Sequence, residues 1–282
     1  MQNQMQDILN TTGLNWEVSK QKLITESGIS IDSKVALIRS DNNAVLGVMG
    51  DTYEAYQNSE LLELLFQISK STGLELHGGG SFGAGEKIFY QLKSEDMILH
   101  GDKIEGFITG INSHDGSTAL GFGNSTLTIS CMNTFFKASK QLDSKIRHSA
   151  NLRPRIDAIL KSLDVLLKDE QSDFKTIKRM AEIQSTPEIK DLVIRTLFQL
   201  NAIDKIGELS TRKDNQILAF GTDWDREIAQ KGDNLWGAMS AATRYSTHTQ
   251  FKTAEKGQLQ KMFGRAGENE RLVWNKLAKF AA

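Results

Sequence analysis

The spacing of apolar residues changes once along the chain, near Asn133. Upstream, short apolar runs alternate with polar residues and are cut by turn formers, the pattern of half-buried strands. Downstream, apolar residues recur three and four positions apart, as on amphipathic helices. The expected fold class is therefore α+β, with an N-terminal curved antiparallel sheet carrying helices and an all-α C-terminal half. The division is drawn as a sheet domain over residues 1–140 and a helical domain over 141–282. A chain of 282 residues can bury a core in each.

Residues 15–23 alternate like a strand. The apolar runs 34–39 and 44–49 are joined by Ser40-Asp41-Asn42-Asn43, and Asp and Asn tolerate the positive φ of a tight hairpin. Ser59 is placed as an N-cap for a helix over 59–72, whose apolar face is Leu61, Leu62, Leu65, Phe66 and Ile68 and whose C-cap is Gly73. Strands are expected at 74–78, 87–93, 103–112 and 118–132, the last two joined through His114-Asp115-Gly116, where Asp-Gly is a strong hairpin signal. Gly106, Gly110, Gly121 and Gly123 thin this sheet of side chains, as at bulges or sharp curvature. Helices are expected over 134–142, about 145–168, 174–183, 187–201, 233–250 and 267–280. Ser185-Thr186-Pro187-Glu188 is a helix start, and 168–173 and 208–216 are read as solvated turns.

No run approaches the roughly 20 apolar residues of a membrane span, and the first residues lack the basic and apolar regions of a signal peptide. The single cysteine, Cys131, fits a reducing compartment, so a cytoplasmic location is expected. It is read as a small buried hydrophobe. The five histidines and this cysteine show no metal-ligand spacing, so no metal site is expected. Gly78-Gly79-Gly80-Ser81-Phe82-Gly83 matches a dinucleotide-loop pattern, but the text after it reads as a strand, where that loop must open a helix. No nucleotide or other cofactor is expected.

Charge is divided by sign. Residues 1–136 carry 8 Lys and Arg against 16 Asp and Glu, a net of −8; residues 137–282 carry 26 against 19, a net of +7. Such a split suits either a polyanion surface or self-association of opposite faces. The excess is densest over 137–179, with 11 basic and 6 acidic residues. Lys137, Lys140, Lys145, Arg147, His148, Arg153 and Arg155 lie there, and arginine forks grip phosphates at two points. Lys87, Phe89, Tyr90 and Lys93 interleave cations with rings along one strand, and Phe136 precedes Lys137, a composition that suits single-strand binding. Strand alternation sends one of Phe89 and Tyr90 into the core. A solvated helix face and ordinary core aromatics are the competing reading of the same residues.

Several segments resemble a known family. Asn15-Trp16-Glu17, then Asp51-x-Tyr53-x-x-x-Gln57-Asn58, then Asn112-Ser113-His114-Asp115-Gly116-Ser117 are similar, in order, to motifs of the phage- and plasmid-associated family of domain of unknown function 932. So are Cys131-Met132-Asn133-Thr134-Phe135, Arg147-His148-Ser149, and the helix of Leu235-Trp236-Gly237-Ala238 with Ala241, Tyr245 and His248. Thr128, Ser240 and Arg244 stand where the family usually has Arg, Asn and Glu. The resemblance carries no settled activity. The order of elements is also similar, at the level of fold alone, to phage and RAD-type single-strand annealing proteins. The resulting expectation is a phage- or plasmid-encoded protein, not an enzyme, that binds single-stranded DNA (RNA being the alternative) and anneals it as a homo-oligomer. An enzyme on nucleic acid or a small metabolite, and a binder of a host factor, are the other readings.

Overall fold

The computed structural model describes residues 2–128, 133–138, 145, 146, 148, 149, 152, 154, 156 and 163–282. The protein is α+β: two antiparallel sheets lie in the N-terminal half, and most helices lie in the C-terminal half. It divides into two compact units.

The first unit comprises residues 1–95, 107–124 and 138–167. Helix α1 (Gln2–Thr11) leads into a three-stranded meander of β1 (Val18–Ile24), β2 (Ser30–Arg39) and β3 (Val45–Gly50). The β2–β3 hairpin forms as its turn residues dictate, with Asn43 at φ 59°. Helix α2 (Asn58–Thr72) follows and ends at Gly73, whose φ of 76° closes the last turn. A second sheet takes the order β4 (Glu75–Phe82), β5 (Lys87–Leu99), β6 (Asp102–Ser113), β7 (Leu120–Thr128) and β8 (Asn133–Ala138), with the short β9 (Lys145–Ile146) pairing β7. The single curved sheet expected from sequence is thus two sheets. One core cluster joins Leu37 and Leu46 of the meander, Leu61, Leu62, Leu65 and Ile68 of α2, and Ile88, Tyr90, Leu92, Ile108, Leu120 and Phe122 of the second sheet. Each such side chain withdrawn from water contributes about 1.5–3 kcal/mol.

The second unit comprises residues 96–106, 125–137 and 168–282. Its helices are α3 (Leu163–Glu182), α4 (Pro187–Leu197), α5 (Thr211–Lys231), α6 (Leu235–Arg244), a π-helical turn at Tyr245–Thr249, α7 (Ala254–Phe263) and α8 (Arg265–Leu277). The α4 start is capped as its sequence predicts, Thr186 Oγ1 accepting from the Ile189 N–H with Pro187 in the first turn. Phe174, Ile177, Met180, Val193, Phe220, Trp224, Trp236, Tyr245 and Trp274 form the core, together with Met97 and Ile104.

Further expectations change. The N-cap of α2 is Gln57, and Ser59 lies within the first turn. Residues 134–138, expected to begin a helix, lie on β8 (Asn133–Ala138), because Thr-Phe-Phe favours a pleated surface and extends the sheet. Lys145–Ile146 is a strand, whereas Leu152, Pro154 and Ile156 are helical and α3 is described from Leu163. Residues 168–173 are not a turn but the middle of α3, where Glu170 and Asp173 are buried. Most of the stretch read as a turn at 208–216 opens α5.

Candidate functional site

Helix α2 begins with Gln57 and Asn58, and both side chains do the work of backbone. Gln57 Oε1 accepts from the Val18 N–H at 2.8 Å while its Nε2 donates to the Val18 carbonyl at 3.0 Å, mimicking a paired strand residue. Asn58 is fully buried and donates from Nδ2 to the carbonyls of Leu14 and Trp16, both at 3.1 Å. Its Oδ1 lies 2.9 Å from Nε2 of His114, which is fully buried at the end of β6. Asn112, also fully buried on that strand, donates to the Tyr56 carbonyl at 3.0 Å.

Rings enclose this polar core. The Trp16 indole meets His114 edge-on at 5.5 Å between centroids and carries the Arg39 guanidinium on its own face at 4.4 Å. Tyr53 stacks on His148 at 4.9 Å with planes 8° apart, and its hydroxyl donates to the Ser113 carbonyl at 3.0 Å. Burial lowers the His114 pKa to about 3, the charge of His148 adding to the effect. Burial also lowers His148, against the opposing pull of the Glu54 carbonyl. Asp115 is lowered, its partial burial being outweighed by hydrogen bonds from Lys87, at 2.6 Å, and from Ser117. Burial, with the Asp115 charge second, raises Tyr53 well above the ordinary phenol range.

The second sheet has another face, turned away from this core. Registered pairs Gly80↔Phe89, Gly78↔Gln91 and Phe82↔Lys87 point to it together, since directly opposed residues share a side. Gln91 reaches Thr109 at 3.2 Å, Lys93 Nζ sits 4.8 Å from the Phe107 ring centroid, and His77 tilts over the same ring at 4.9 Å. Phe82 and Phe89 stack at 5.5 Å. Gly78 leaves open space where a Cβ would stand.

The structure separates the residues expected to bind nucleic acid. Lys87, Phe89 and Lys93 share this outer face, whereas Tyr90 is fully buried in the core, so the ring that alternation sends inward is Tyr90 and it offers no stacking surface. His148 is not on a phosphate-gripping helix but half-buried beneath Tyr53. Phe136 and Lys137 lie on β8 and Lys145 on β9, with side chains outside the described set. Lys140, Arg147, Arg153 and Arg155 lie outside the described residues, as does Cys131. The Gly78–Gly83 segment runs from β4 into a hairpin turn and then β5, with no helix start to hold a phosphate.

A family model described as a domain of unknown function, DUF932, matches residues 45–270. The chain belongs to this family. No curated protein and no solved structure matches it. The DUF932 match spans Tyr53, Gln57, Asn58, Asn112, His114, Asp115 and His148, the motif residues the first unit brings together, and Trp236, Ala241, Tyr245 and His248 in the second. Around the tryptophan helix the chemistry is ionic. Arg244 pairs with Asp223 at 3.1 Å and with Glu227 at 3.7 Å, and Lys261 pairs with Glu270 at 3.1 Å, all of them buried or nearly so. Sequence reasoning set aside His114 as a turn residue. A family motif passing through it was the available signal, and its partners Asn58 and Trp16 are distant in sequence. No helix among the described residues is long and apolar enough to cross a membrane.

Proposed function

We propose that this DUF932 protein binds single-stranded nucleic acid on the outer face of β4–β6 and anneals strands as a homo-oligomer encoded by a phage or plasmid. The observation that carries the reading is the composition of that face. The half-exposed Phe89 lies against Gly80 and near Gly78, whose missing side chain leaves open space for a flat base, and Lys93 and His77 flank it around Phe107. Base–aromatic stacking on such a platform tolerates any sequence. Lys87 contributes less than a free cation would, because Asp115 already holds it. Phosphate neutralisation is assigned instead to Lys137, Lys140, Lys145, Arg147, Arg153 and Arg155, in the segment of densest positive charge. The −8 and +7 halves supply opposite faces for self-association.

Fluorescence anisotropy with labelled DNA and RNA oligonucleotides over a salt series tests the proposal. Phe89→Ala is expected to weaken binding by about 1–3 kcal/mol with little change in salt slope. Replacing Arg147, Arg153 and Arg155 by Ala is expected to flatten the slope by about 2, since each phosphate contact contributes about 0.7 on a single strand. Gly78→Val fills open space and is expected to lower affinity without lowering the melting temperature. Absence of binding by the unaltered protein at low salt overturns the reading.

A further inference from the structure

The second unit carries an open groove of about 560 Å³ at the start of α5, away from every residue the strand-binding reading uses. Thr211, Arg212, Asn215 and Gln216 line it from the first turns of that helix, and Thr249 and Gln250 line it from the end of the π-helical turn. The turn sets the second group in place. Its wide bond, from the Gln250 N–H to the Tyr245 carbonyl at 2.8 Å, brings the chain round beside Tyr245, which lines the same groove. Among the described residues no carboxylate belongs to the lining.

The hydrogen-bonding groups of this lining are unspent. The side chains of Thr211, Arg212, Asn215, Gln216, Thr249 and Gln250 make no hydrogen bond or ion pair among the described residues. The N-cap residue Ser210 offers no side-chain cap, and the first backbone bonds of α5 come from Lys213 and Asp214. The N–H groups of Thr211 and Arg212 are thus open at the positive end of a 21-residue helix. Asp214, the acid of that first turn, is taken up by the Gly207 N–H at 2.9 Å.

Exposed side chains such as Arg212 and Asn215 can leave their bonds to water; Tyr245 is a different case. It is only 3% exposed, and its ring packs edge-on against Phe198 and Phe220, at 5.3 and 5.9 Å between centroids. Its hydroxyl nevertheless has no partner among the described residues and is not sealed in, so a buried ring delivers an unspent hydroxyl to open space. Burial, with the Asp223 charge second, raises this phenol to about 12, which keeps it a donor. Arg244, 3.1 Å from Asp223, compensates that carboxylate.

We propose that the groove binds the phosphate monoester of a small polar molecule, with the phosphate on the N–H groups of Thr211 and Arg212 and on the Arg212 guanidinium, and the Tyr245 hydroxyl donating to the same ligand. A helix N-terminus with open N–H groups is a ready anion site, and an arginine fork grips phosphate at two points. A lining with a cation and no carboxylate disfavours metal ions and cationic ligands. The groove exceeds what a phosphate alone fills, and Asn215, Gln216 and Gln250 each add a donor and an acceptor, the pair with which amides read the polar edge of a base. A nucleoside monophosphate uses all of these groups.

The test is calorimetric titration of the full-length chain with adenosine monophosphate, ribose phosphate and inorganic phosphate, with adenosine as the unphosphorylated control. One equivalent per chain is expected, tightest for adenosine monophosphate, and adenosine alone is expected to bind far more weakly. Arg212→Ala should weaken binding by about 10–100-fold, the loss of a charge-assisted bond, at unchanged melting temperature. Tyr245→Phe keeps the ring packing and should weaken it about fivefold. Phe89→Ala, on the sheet face, should leave this affinity unaltered, so the two sites succeed or fail separately. Any of three results overturns the proposal: no saturable binding of the three phosphates by the folded, unaltered chain, equal affinity for adenosine and its monophosphate, or unaltered affinity in Arg212→Ala.

Discussion

The two units bury polar groups in opposite ways. The first uses neutral amides and imidazoles, and spends many of their hydrogen bonds on backbone carbonyls: Asn58 on Leu14 and Trp16, Asn112 on Tyr56, His148 on Glu54. The second uses full charges in pairs: Lys261 with Glu270, Arg244 with Asp223 and Glu227, Lys231 with Asp102. A neutral bond to backbone fixes the path of a loop at modest desolvation cost. A buried ion pair costs several kcal/mol per ion to dehydrate and recovers it only while both partners are present. The first design specifies where hairpins run. The second makes each charge dependent on its partner.

That dependence gives the largest expected effect. Glu270→Ala leaves Lys261, 2% exposed, without its counter-ion. The expected destabilisation is about 3–5 kcal/mol, while the double change Lys261→Met with Glu270→Leu costs far less or stabilises. Calorimetric melting of the three proteins decides it, and equal losses would break the contrast between the units. Burial raises the Glu270 pKa even though Lys261 and the Ser246 hydroxyl pull it down. The folded state thus holds this proton more tightly than the unfolded one. Its contribution to stability is full below the ordinary glutamate value and is lost as pH rises through the raised one. Glu270→Gln should remove that fall from a plot of stability against pH.

A smaller loss is expected in the neutral network. Asn58→Ala strands the His114 Nε2–H and two carbonyls, at roughly 2–3 kcal/mol. Unlike the Glu270 variants, it should show no partner substitution that restores stability, since its partners are backbone and one imidazole. Thermal melts of Asn58→Ala alone and with His114→Leu measure this. Full recovery in the double variant would show that the imidazole contact, and not the clamp on residues 14 and 16, is what Asn58 provides.

Local signals made much of the fold legible. Asn43 and the Asp115-Gly116 turn mark hairpins that form, Gly73 caps the helix it was assigned, and the helix start at 185–188 is capped by Thr186, whereas Gln57 takes the N-cap expected of Ser59. What failed was judged from polarity alone. Lys-Asp-Glu-Gln-Ser-Asp looks like a turn, yet α3 runs through it because Glu170 and Asp173 are absorbed by the second unit. Helix α5 places Ile217, Phe220 and Trp224 on one buried stripe, a spacing visible in the sequence but obscured by the polar run that opens the helix. The site was legible only as motifs. That His114 and His148 share one polar core follows from β6, α2 and the segment after β9 meeting, which no spacing along the chain encodes.

The smallest effects compare the two faces of the second sheet through its glycines. On the core face, a Cβ at Gly110 would come within 3.1 Å of Phe122 and 3.3 Å of Leu61, both fully buried and unable to retreat. Gly110→Ala should therefore cost about 1–3 kcal/mol by overpacking. On the outer face, Gly78 meets nothing within 4 Å and its φ is ordinary, so Gly78→Ala should change stability by no more than about 0.5 kcal/mol. Alanine also restricts the unfolded chain more than glycine does, which moves the balance toward stabilisation. Denaturant melts of the two variants separate the reasons for the glycines. A large loss at both positions would mean that the outer face is packed as tightly as the core and has no room for a base. A loss at Gly110 alone leaves Gly78 without a structural reason, and the space beside Phe89 open to a ligand.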